Sequence, residues 1–552
     1  MKPIHLTGAV MAHPRRLDAA RSLIAAAPPG FLDLVLDPDP GGPPTGLRTS
    51  IRAWSEVPPG ATHHLVLEDD ARLSAGFRRQ AERAVAAAPD AAIVLFNNWS
   101  SRNGAAVRLG ALAGARWVAP ADEYTANVAL ILPAALAAGF PDYAREHGGT
   151  WPDDVVLFRY LRSVGAVTRL AVPNLVEHGE FPSISGNDLH GLRMSACFAA
   201  PAPDAEWPAD DVLRPDAVPF FKYGLAMCSI RRDDRWRTVG YERYSRHLGI
   251  DVDDCRKEFD AAPAVGRLRA DGPVPDHALE AFWRTGYALG FLGARHESNV
   301  DWRTDPLVDK ALDTLGPGGL CTELGSAELR RLQAPMKELA REALFAGARA
   351  PARATAGRRI VFAGADTPLK RALADDLADR GHVVRTTSGM DGVEPGEVVV
   401  EPDEVVVESD EAEIRVRDSV LRFGVPYGPG VVGHSPLNDL VLQSLTMRPM
   451  RVAGAVAGSY RFVHVWDLAG ALDALLDGPG PAGVVDLADG PPVTLRQLAE
   501  LVGRVVRNVP IDLSDAVVDE PDARVGSAAG RPSVDLGDGI RTVAQWLAYE
   551  AG

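Results

Sequence analysis

Four short apolar runs, separated by helix-forming stretches rich in Ala and Arg, constrain the first two hundred residues most. They are PIHLTGAVMA (3–12), FLDLVLDPDP (31–40), HHLVLEDD (63–70) and AAIVLF (91–96). Segments at 15–27, near 47–56 and around FRRQAERAVAAAP read as the helices between them. Strands alternating with helices predict a parallel α/β sheet. In such a sheet, functional side chains collect at the carboxyl ends of the strands. The acids of LDPDP, the acids of LEDD and the NNW after AAIVLF all stand at such ends.

The chain has 552 residues, too many for one core, so two to four domains are expected. A net charge of −16 argues against broad nucleic-acid or anionic-membrane binding. Cys197, Cys228, Cys255 and Cys321 lie far apart without a CxxC pair, which argues against a zinc site or disulfide framework and fits a reducing compartment. MKPIHLTGAVMAHPRR turns basic after its apolar part, the reverse of a signal peptide. NVALILPAALAAGF (127–140) is short and contains Pro133, so no membrane span is expected. The expected location is cytoplasmic.

A first domain is expected over 1–205. From 206 to 347 Trp and Arg become frequent, and HALEAFWRTGYALGFLGA (277–294) predicts a mostly helical middle region. Its aromatic and basic stretches suit an acceptor cleft or a homo-oligomer interface. ARAPARATAG (348–357) reads as a linker, and 358–552 opens a second α/β unit.

Glu68 and Asp70 have an i, i+2 spacing that lets two carboxylates approach one hard cation at a strand end. A solvated acidic turn is the plain alternative. WPDDVVLFRYLRSVG (151–165) places Asp153 and Asp154 at a helix start, suited to capping and also to a general base. PNLVEHGEFPSISG (173–186) puts His178 after an apolar run, with Ser183 and Ser185 beyond it. Asn97, Asn98 and Trp99 in NNWSSRN, and Tyr124 in DEYTAN, are candidate sugar or acceptor contacts. Trp99 is equally well read as a packing residue.

The order strand, LEDD, WPDD on a helix, then P-x-LV-x-H-G resembles nucleotide-sugar glycosyltransferases of the GT-A fold, and LEDDA resembles most the bacterial lipopolysaccharide-type galactosyltransferases. That resemblance implies a GT-A type Rossmann-like domain. It implies Asp70 with Glu68 on Mn²⁺ or Mg²⁺, His178 as third ligand, and Asp153 or Asp154 as base. Thr7, Gly8 and Ala9 would lie against the base or ribose, with Asp37, Asp39 and Asp69 as further nucleotide contacts and Arg48 reaching phosphate. Glu68 departs from the more usual first Asp.

From 358 the chain resembles the extended short-chain dehydrogenase/reductase family of sugar-nucleotide epimerases and dehydratases. RRIVFAGADTPLKRALADDLADRGHVV, RFGVPYGPG (422–430), YRFVHVWDLAGALDALLD (460–477), VVDLADGPPVTLRQLAELV (484–502) and LGDGIRTVAQWL (536–547) carry this likeness. A dinucleotide fingerprint wants three glycines at the first turn. Here Gly364 is followed by Thr367 and Lys370. The family's Tyr-x-x-x-Lys pair is absent, since 383–421 contains neither Tyr nor Lys. The acidic alternation EPGEVVVEPDEVVVESDEAEIRV reads as edge-like strands, and His464 and Asp467 as packing residues. A degenerate Rossmann domain without NAD is therefore expected.

Together these readings predict a metal-dependent glycosyltransferase. It would move a sugar from a nucleoside-diphosphate sugar, expected to be a UDP-sugar, to a small-molecule or glycan acceptor. The alternatives are a sugar-nucleotide epimerase or oxidoreductase using NAD(P), and a non-catalytic carbohydrate-binding or assembly protein.

Overall fold

The structure, a computed structural model, describes residues 3–184, 186, 188–201, 205–353, 357–388, 397–402, 412–431, 436–452, 454–455, 459–477, 483–487, 491–514, 516–517 and 534–551. The fold is mixed α/β. The chain divides into two compact units, Met1–Arg237 with Asp253–Ala350, and Thr238–Val252 with Pro351–Gly552.

The first unit is built on an eight-stranded sheet. In chain order its elements are β1 (Leu6–Ala12), α1 (Leu17–Ala26), β2 (Leu32–Leu36), α2 (Leu47–Ser55), β3 (His63–Glu68), β4 (Ala71–Leu73), α3 (Phe77–Ala87), β5 (Ala92–Val94), α4 (Arg102–Ala113), β6 (Trp117–Val118), β7 (Ala129–Pro133), α5 (Ala134–His147), α6 (Asp153–Ser163), β8 (Thr168–Ala171), β9 (Val176–His178) and β10 (Val212–Leu213). The sheet order is β10-β6-β8-β5-β7-β3-β1-β2. The four apolar runs supply β1, β2, β3 and β5. β1 runs parallel to both β2 and β3, as strand–helix–strand connections require. β7 is antiparallel to β3 and β5, so the sheet is mixed rather than wholly parallel. Val10, Leu65, Val66, Ile93 and Ile131 are fully buried, which explains why these runs are continuously apolar.

Two strand registers fix the surroundings of the acidic turn. Met11 on β1 lies opposite Glu68 on β3, which aligns the carboxyl ends of the two strands. β4 and β9 form a separate two-stranded antiparallel ribbon in which Ala71 pairs with His178. A residue more than a hundred positions further along the chain is thereby set beside the turn.

Residues 206–347 do not stand as a unit of their own and are not helical throughout. Ala217–Lys222 and Leu225–Arg232 form an antiparallel hairpin that turns at Tyr223 and Gly224, both at positive φ (58° and 71°). Helices Asp276–Gly293 and Ser326–Arg349 pack closely within the first unit. A Cβ at Gly290 or Gly347 would collide with the backbone of the facing helix.

In the second unit, strand Arg359–Phe362 pairs in parallel with Val383–Thr386 and Val398–Pro402. Gly364, at φ 95°, turns the chain after the first strand. Thr367 then caps helix Pro368–Asp379, its hydroxyl accepting from the Lys370 N–H at 3.1 Å. The Lys370 ammonium is buried and donates to the carbonyls of Gly364 and Thr387, each at 2.7 Å. Strands Val398–Pro402 and Ala412–Val416 of the acidic alternation lie inside the six-stranded sheet rather than at its edge. Their Val and Ile residues fill a core whose other wall comes from helices 368–379 and 465–477. Residues 403–411 lie outside the described residues.

Helix Tyr241–Leu248 belongs to this second unit. Arg243 binds Asp376 at 3.1 Å and Asp379 at 2.9 Å, all three buried. Arg380 continues the network to Asp376 at 2.6 Å and Asp473 at 3.1 Å, and His382 meets Asp473 at 2.9 Å. Burial alone would lower the Arg243 pKa, but Asp376 and Asp379 outweigh it and raise the value.

His464 is fully enclosed. Its Nδ1 accepts from the Trp466 N–H at 3.2 Å, so Nε2 carries the proton toward the Thr542 hydroxyl at 3.0 Å. Asp467 accepts from the Val534 N–H at 3.3 Å. Burial pushes the His464 pKa from 6.5 down to about 3. The unfolded chain therefore binds the extra proton first, and stability present above pH 6.5 is lost as pH falls toward 3. We expect His464→Gln to flatten urea-unfolding stability across this window, by up to about 1.4 kcal/mol per pH unit relative to the unaltered protein.

Candidate cation and phosphate site at the end of β3

The apolar strand β3 ends in Glu68, and the chain turns through Asp69 and Asp70 before entering β4. The β4–β9 ribbon sets His178 against this turn. Atoms of Glu68, Asp70 and His178 able to hold a metal ion lie within 4.8 Å of one another. His178 Nδ1 faces the Gly179 carbonyl at 2.7 Å, which fixes the tautomer with its proton there. Nε2 is left with its lone pair, buried, without a hydrogen-bond partner and 3.5 Å from Asp70 Oδ2. Asp70 Oδ1 is likewise buried and unpartnered. Burial lowers the His178 pKa against the opposing pull of Asp70, which keeps the imidazole neutral and able to ligate.

Asp153 faces the same place from the first turn of α6. Asn127 Nδ2 donates to Asp153 Oδ2 at 2.7 Å and lies 3.0 Å from Ser50 Oγ. A Cβ at Gly46 would stand 2.8 Å from Asp153 Oδ1, so glycine lets the loop before α2 close over this carboxylate. Burial, then Asp70 and Asp153, push the Glu68 pKa well above the carboxylate range, with Arg193 opposing. Burial also raises the Asp153 pKa, with the Asn127 hydrogen bond opposing. Two carboxylates and one imidazole nitrogen, with orphaned buried atoms on Asp70 and His178 among them, fit a cation of the Mn²⁺ or Mg²⁺ class.

One cation is already present. Arg16 Nη1 binds Asp69 at 3.1 Å and Asp70 at 2.5 Å, while Nη2 donates to the Pro182 carbonyl at 2.5 Å. The His13 N–H adds a bond to Asp69 at 3.2 Å. The repulsion inherent in the acidic turn is therefore partly met by protein, and Asp69 serves as an anchor for β1's exit.

The structure brings Glu68, Asp69, Asp70, Asp153 and His178 together, and gives the other candidates partners of their own. Thr7, Gly8 and Ala9 lie within β1, short of its carboxyl end. Thr7 Oγ1 meets His64 Nδ1 at 2.9 Å, a Cβ at Gly8 would collide with Leu32, and Ala9 is buried. Asp37 and Arg48 satisfy each other through two bonds of 2.6 and 2.7 Å, and the Asp39 N–H adds a third to Asp37. These groups brace the 37–48 loop. Trp99 is buried and donates to the Leu192 carbonyl at 2.9 Å, a packing role. Asn98 closes a local turn on Ser100, and the Asn97 carbonyl accepts from Ala196. Asp154 accepts through its backbone carbonyl from Thr125, next to the half-buried Tyr124. The Ser183 N–H donates to Asp188 at 2.7 Å, and Ser185 lies outside the described residues. Asn127 closes the candidate stretch DEYTAN and Arg16 closes HLTGAVMAHPRR, though neither was singled out individually, and nothing local marks Arg193.

No family model matches this chain, and no curated protein matches it. Among solved structures, it is similar to the Bordetella bronchiseptica enzyme WbmF in complex with NADH, with 14% identity, a TM-score of 0.27, and 35% of this chain and 92% of that one covered. It is similar to the UDP-glucuronic acid 4-epimerase of Bacillus cereus in complex with UDP-glucuronic acid and NAD, with 15% identity, a TM-score of 0.19, and 23% and 44% covered. It is also similar to the UDP-glucose 4-epimerase of Thermus thermophilus in complex with NAD, with 22% identity, a TM-score of 0.20, and 24% and 46% covered. The chain spans less than half the length of the two epimerases. These neighbours correct two expectations, the metal-dependent glycosyltransferase and the cofactor set in which NAD is not expected. Those named are two epimerases and an enzyme bound to NADH, and all three carry NAD or NADH. An acid cluster reports where a cation fits and not which bond is remade there, and two replaced glycines do not by themselves exclude a dinucleotide.

Arg16→Ala removes the cation that Asp69 and Asp70 share. We expect it to lower the melting temperature by roughly 5 °C in EDTA. Added Mn²⁺ should stabilise this variant more than the unaltered protein in the same thermal scan.

Proposed function

We propose that this chain is an enzyme acting on sugar nucleotides, and that the end of β3 receives the diphosphate of such a nucleotide through a divalent cation. The observation that supports this reading is the clustering of Glu68, Asp70 and His178 with two orphaned buried ligand atoms. A bound Mn²⁺ or Mg²⁺ would supply charge neutralisation for phosphate oxygens. The chain's own residues would do the rest. His178, neutral and fixed by Gly179, presents Nε2. Glu68 and Asp70 present oxygens. Asn127 holds the Asp153 carboxylate in one orientation at the start of α6. Arg16 and Arg193 supply positive charge beside a ligand that is strongly anionic. Preorganised groups of this kind bind without having to be ordered by the ligand.

A second reading concerns the chemistry done on the sugar, and one observation favours it. The first strand of the second unit runs into a left-handed Gly364 and then a capped helix N-terminus, the arrangement in which a dinucleotide pyrophosphate is received. On this reading the chain is a sugar-nucleotide epimerase or oxidoreductase using NAD(P). Lys370, tied to Gly364 and Thr387, would then have to keep or exchange those bonds as the cofactor enters.

Thermal scans with UDP and Mn²⁺, separately and together, test the first reading. A ligand at one hundred times its Kd stabilises by about 2.7 kcal/mol. UDP with Mn²⁺ should raise the melting point, UDP in EDTA should not, and Glu68→Ala or His178→Ala should remove the shift. Equal stabilisation by UDP in EDTA would refute the cation's part. Quenching of NADH fluorescence on titration with the protein tests the second reading, and an NADH signal identical to that in buffer would remove it.

A further inference from the structure

Behind the acidic turn, on the side of β4 facing α1 and α3, lies a cavity of about 1020 Å³. Its walls are apolar: Leu23, Ala27, Phe31, Leu73, Phe77 and Phe181. Of these, Phe181 is 45% exposed, an unusual state for a large aromatic side chain. Three arginines, Arg72, Arg78 and Arg79, stand among the lining residues. Arg78 is engaged, stacked 4.9 Å over the Phe31 ring and paired with Glu82 at 2.9 Å. Arg72 and Arg79 are exposed; Arg72 stands across the β4–β9 ribbon from Glu177 and favours its charged form, while no side-chain hydrogen bond or ion pair of Arg79 falls among the described residues.

An independent observation points to a ligand. Ser74 lines this cavity, is 7% exposed, and its hydroxyl has no hydrogen-bond partner. A buried hydroxyl without a partner is costly, so such groups usually meet something. Asp70 also lines the cavity, and its own orphaned Oδ1 belongs to the cation cluster. An apolar body would fill the walls, an anionic head would meet Arg72 and Arg79, and Ser74 would donate to one of its oxygens. The size suits a small molecule, since ligand pockets usually span about 300–1,000 Å³.

We propose that this cavity binds an amphiphilic anion, an apolar chain or ring system bearing a carboxylate or phosphate, next to Asp70. The inference goes beyond the sugar-nucleotide reading and does not require it. The source of such a ligand is either a free amphiphile or the head of a membrane lipid, and the two are separable.

The test uses the full chain in EDTA, so that the cation cluster plays no part. Octyl phosphate, kept below its micelle concentration, is titrated against bound anilinonaphthalene sulfonate. We expect octyl phosphate to displace the dye and octanol to do so at least tenfold more weakly, the scale set by losing a charge-assisted hydrogen bond. Arg72→Ala with Arg79→Ala should weaken octyl phosphate about tenfold. Ala19→Trp, placed on the half-buried face of α1 that lines the cavity, should abolish displacement while leaving the melting point in place. Octanol binding as tightly as octyl phosphate, or unchanged affinity in the double variant, would overturn the proposal. Sedimentation with phosphatidylcholine vesicles containing phosphatidate separates the sources. Octyl phosphate binding without vesicle binding supports the free amphiphile, and vesicle binding together with octyl phosphate displacement supports the lipid head. Vesicle binding without displacement overturns the cavity as the site. The Mn²⁺-dependent UDP shift is read in a separate scan, so either result can fail alone.

Discussion

The mutual repulsion of carboxylates at the end of β3 is the constraint on which the rest of the first unit turns. Glu68, Asp69 and Asp70 are consecutive, and Asp153 is brought to them from α6. Two like charges 4 Å apart cost about 1 kcal/mol in water and about 4 kcal/mol at the effective dielectric of a protein surface. The fold answers in two ways. Arg16 neutralises the Asp69–Asp70 side of the turn, and burial raises the Glu68 and Asp153 pKa values on the other side. What neither device satisfies is Asp70 Oδ1 and His178 Nε2. The register of two strand pairs, Met11 with Glu68 and Ala71 with His178, creates this unfinished arrangement. The first pairing follows from the apolar run of β1 and β3, and the second from a short ribbon in which Leu73 meets Val176 and Arg72 stands opposite Glu177.

The second unit meets a different version of the same problem. A turn between a first strand and a first helix exposes backbone carbonyls as well as N–H groups. Thr367 caps the helix, and the Lys370 ammonium reaches back to two carbonyls. A lysine in place of a glycine is thus integrated into the turn rather than merely tolerated. Burial lowers its pKa, with Asp366 opposing. The unit's core holds independently of that detail, because its strands and helices bury Ile360, Phe362, Val400, Ile414, Leu468 and Leu472 against each other.

How much could be read in advance depended on the range of the interactions involved. Strand runs are local and apolar, so β1, β2, β3 and β5 were visible as such. The closeness of Glu68, Asp70 and His178 could be expected because each sits at the end of an apolar run. The antiparallel direction of β7 was not, since direction depends on the connection and leaves no mark in NVALILP. Thr7, Gly8 and Ala9 were misplaced because a motif carries no depth along a strand, and packing of Gly8 against Leu32 and Leu65 decides it. Asp37 and Arg48 read as free ligand contacts until their mutual pairing, eleven residues apart, is seen. Arg193 reaches the site through tertiary folding alone. The acidic alternation in the second unit looked like an edge because its charges alternate. Its Val and Ile residues placed it inside.

The helix at 241–248 has a consequence for how this chain can be divided. The stretch 348–357 has a linker's composition, yet the second unit also owns 238–252, from the middle of the chain. The backbone therefore passes between the two units three times. A fragment beginning at residue 351 would lack Arg243 and Arg246, stranding Asp376 and Asp379 without their buried guanidinium partner. Neither half is a removable module. Any duplication or shuffling of this gene that preserves both folds has to carry the whole interlaced stretch, so the two halves are inherited as one.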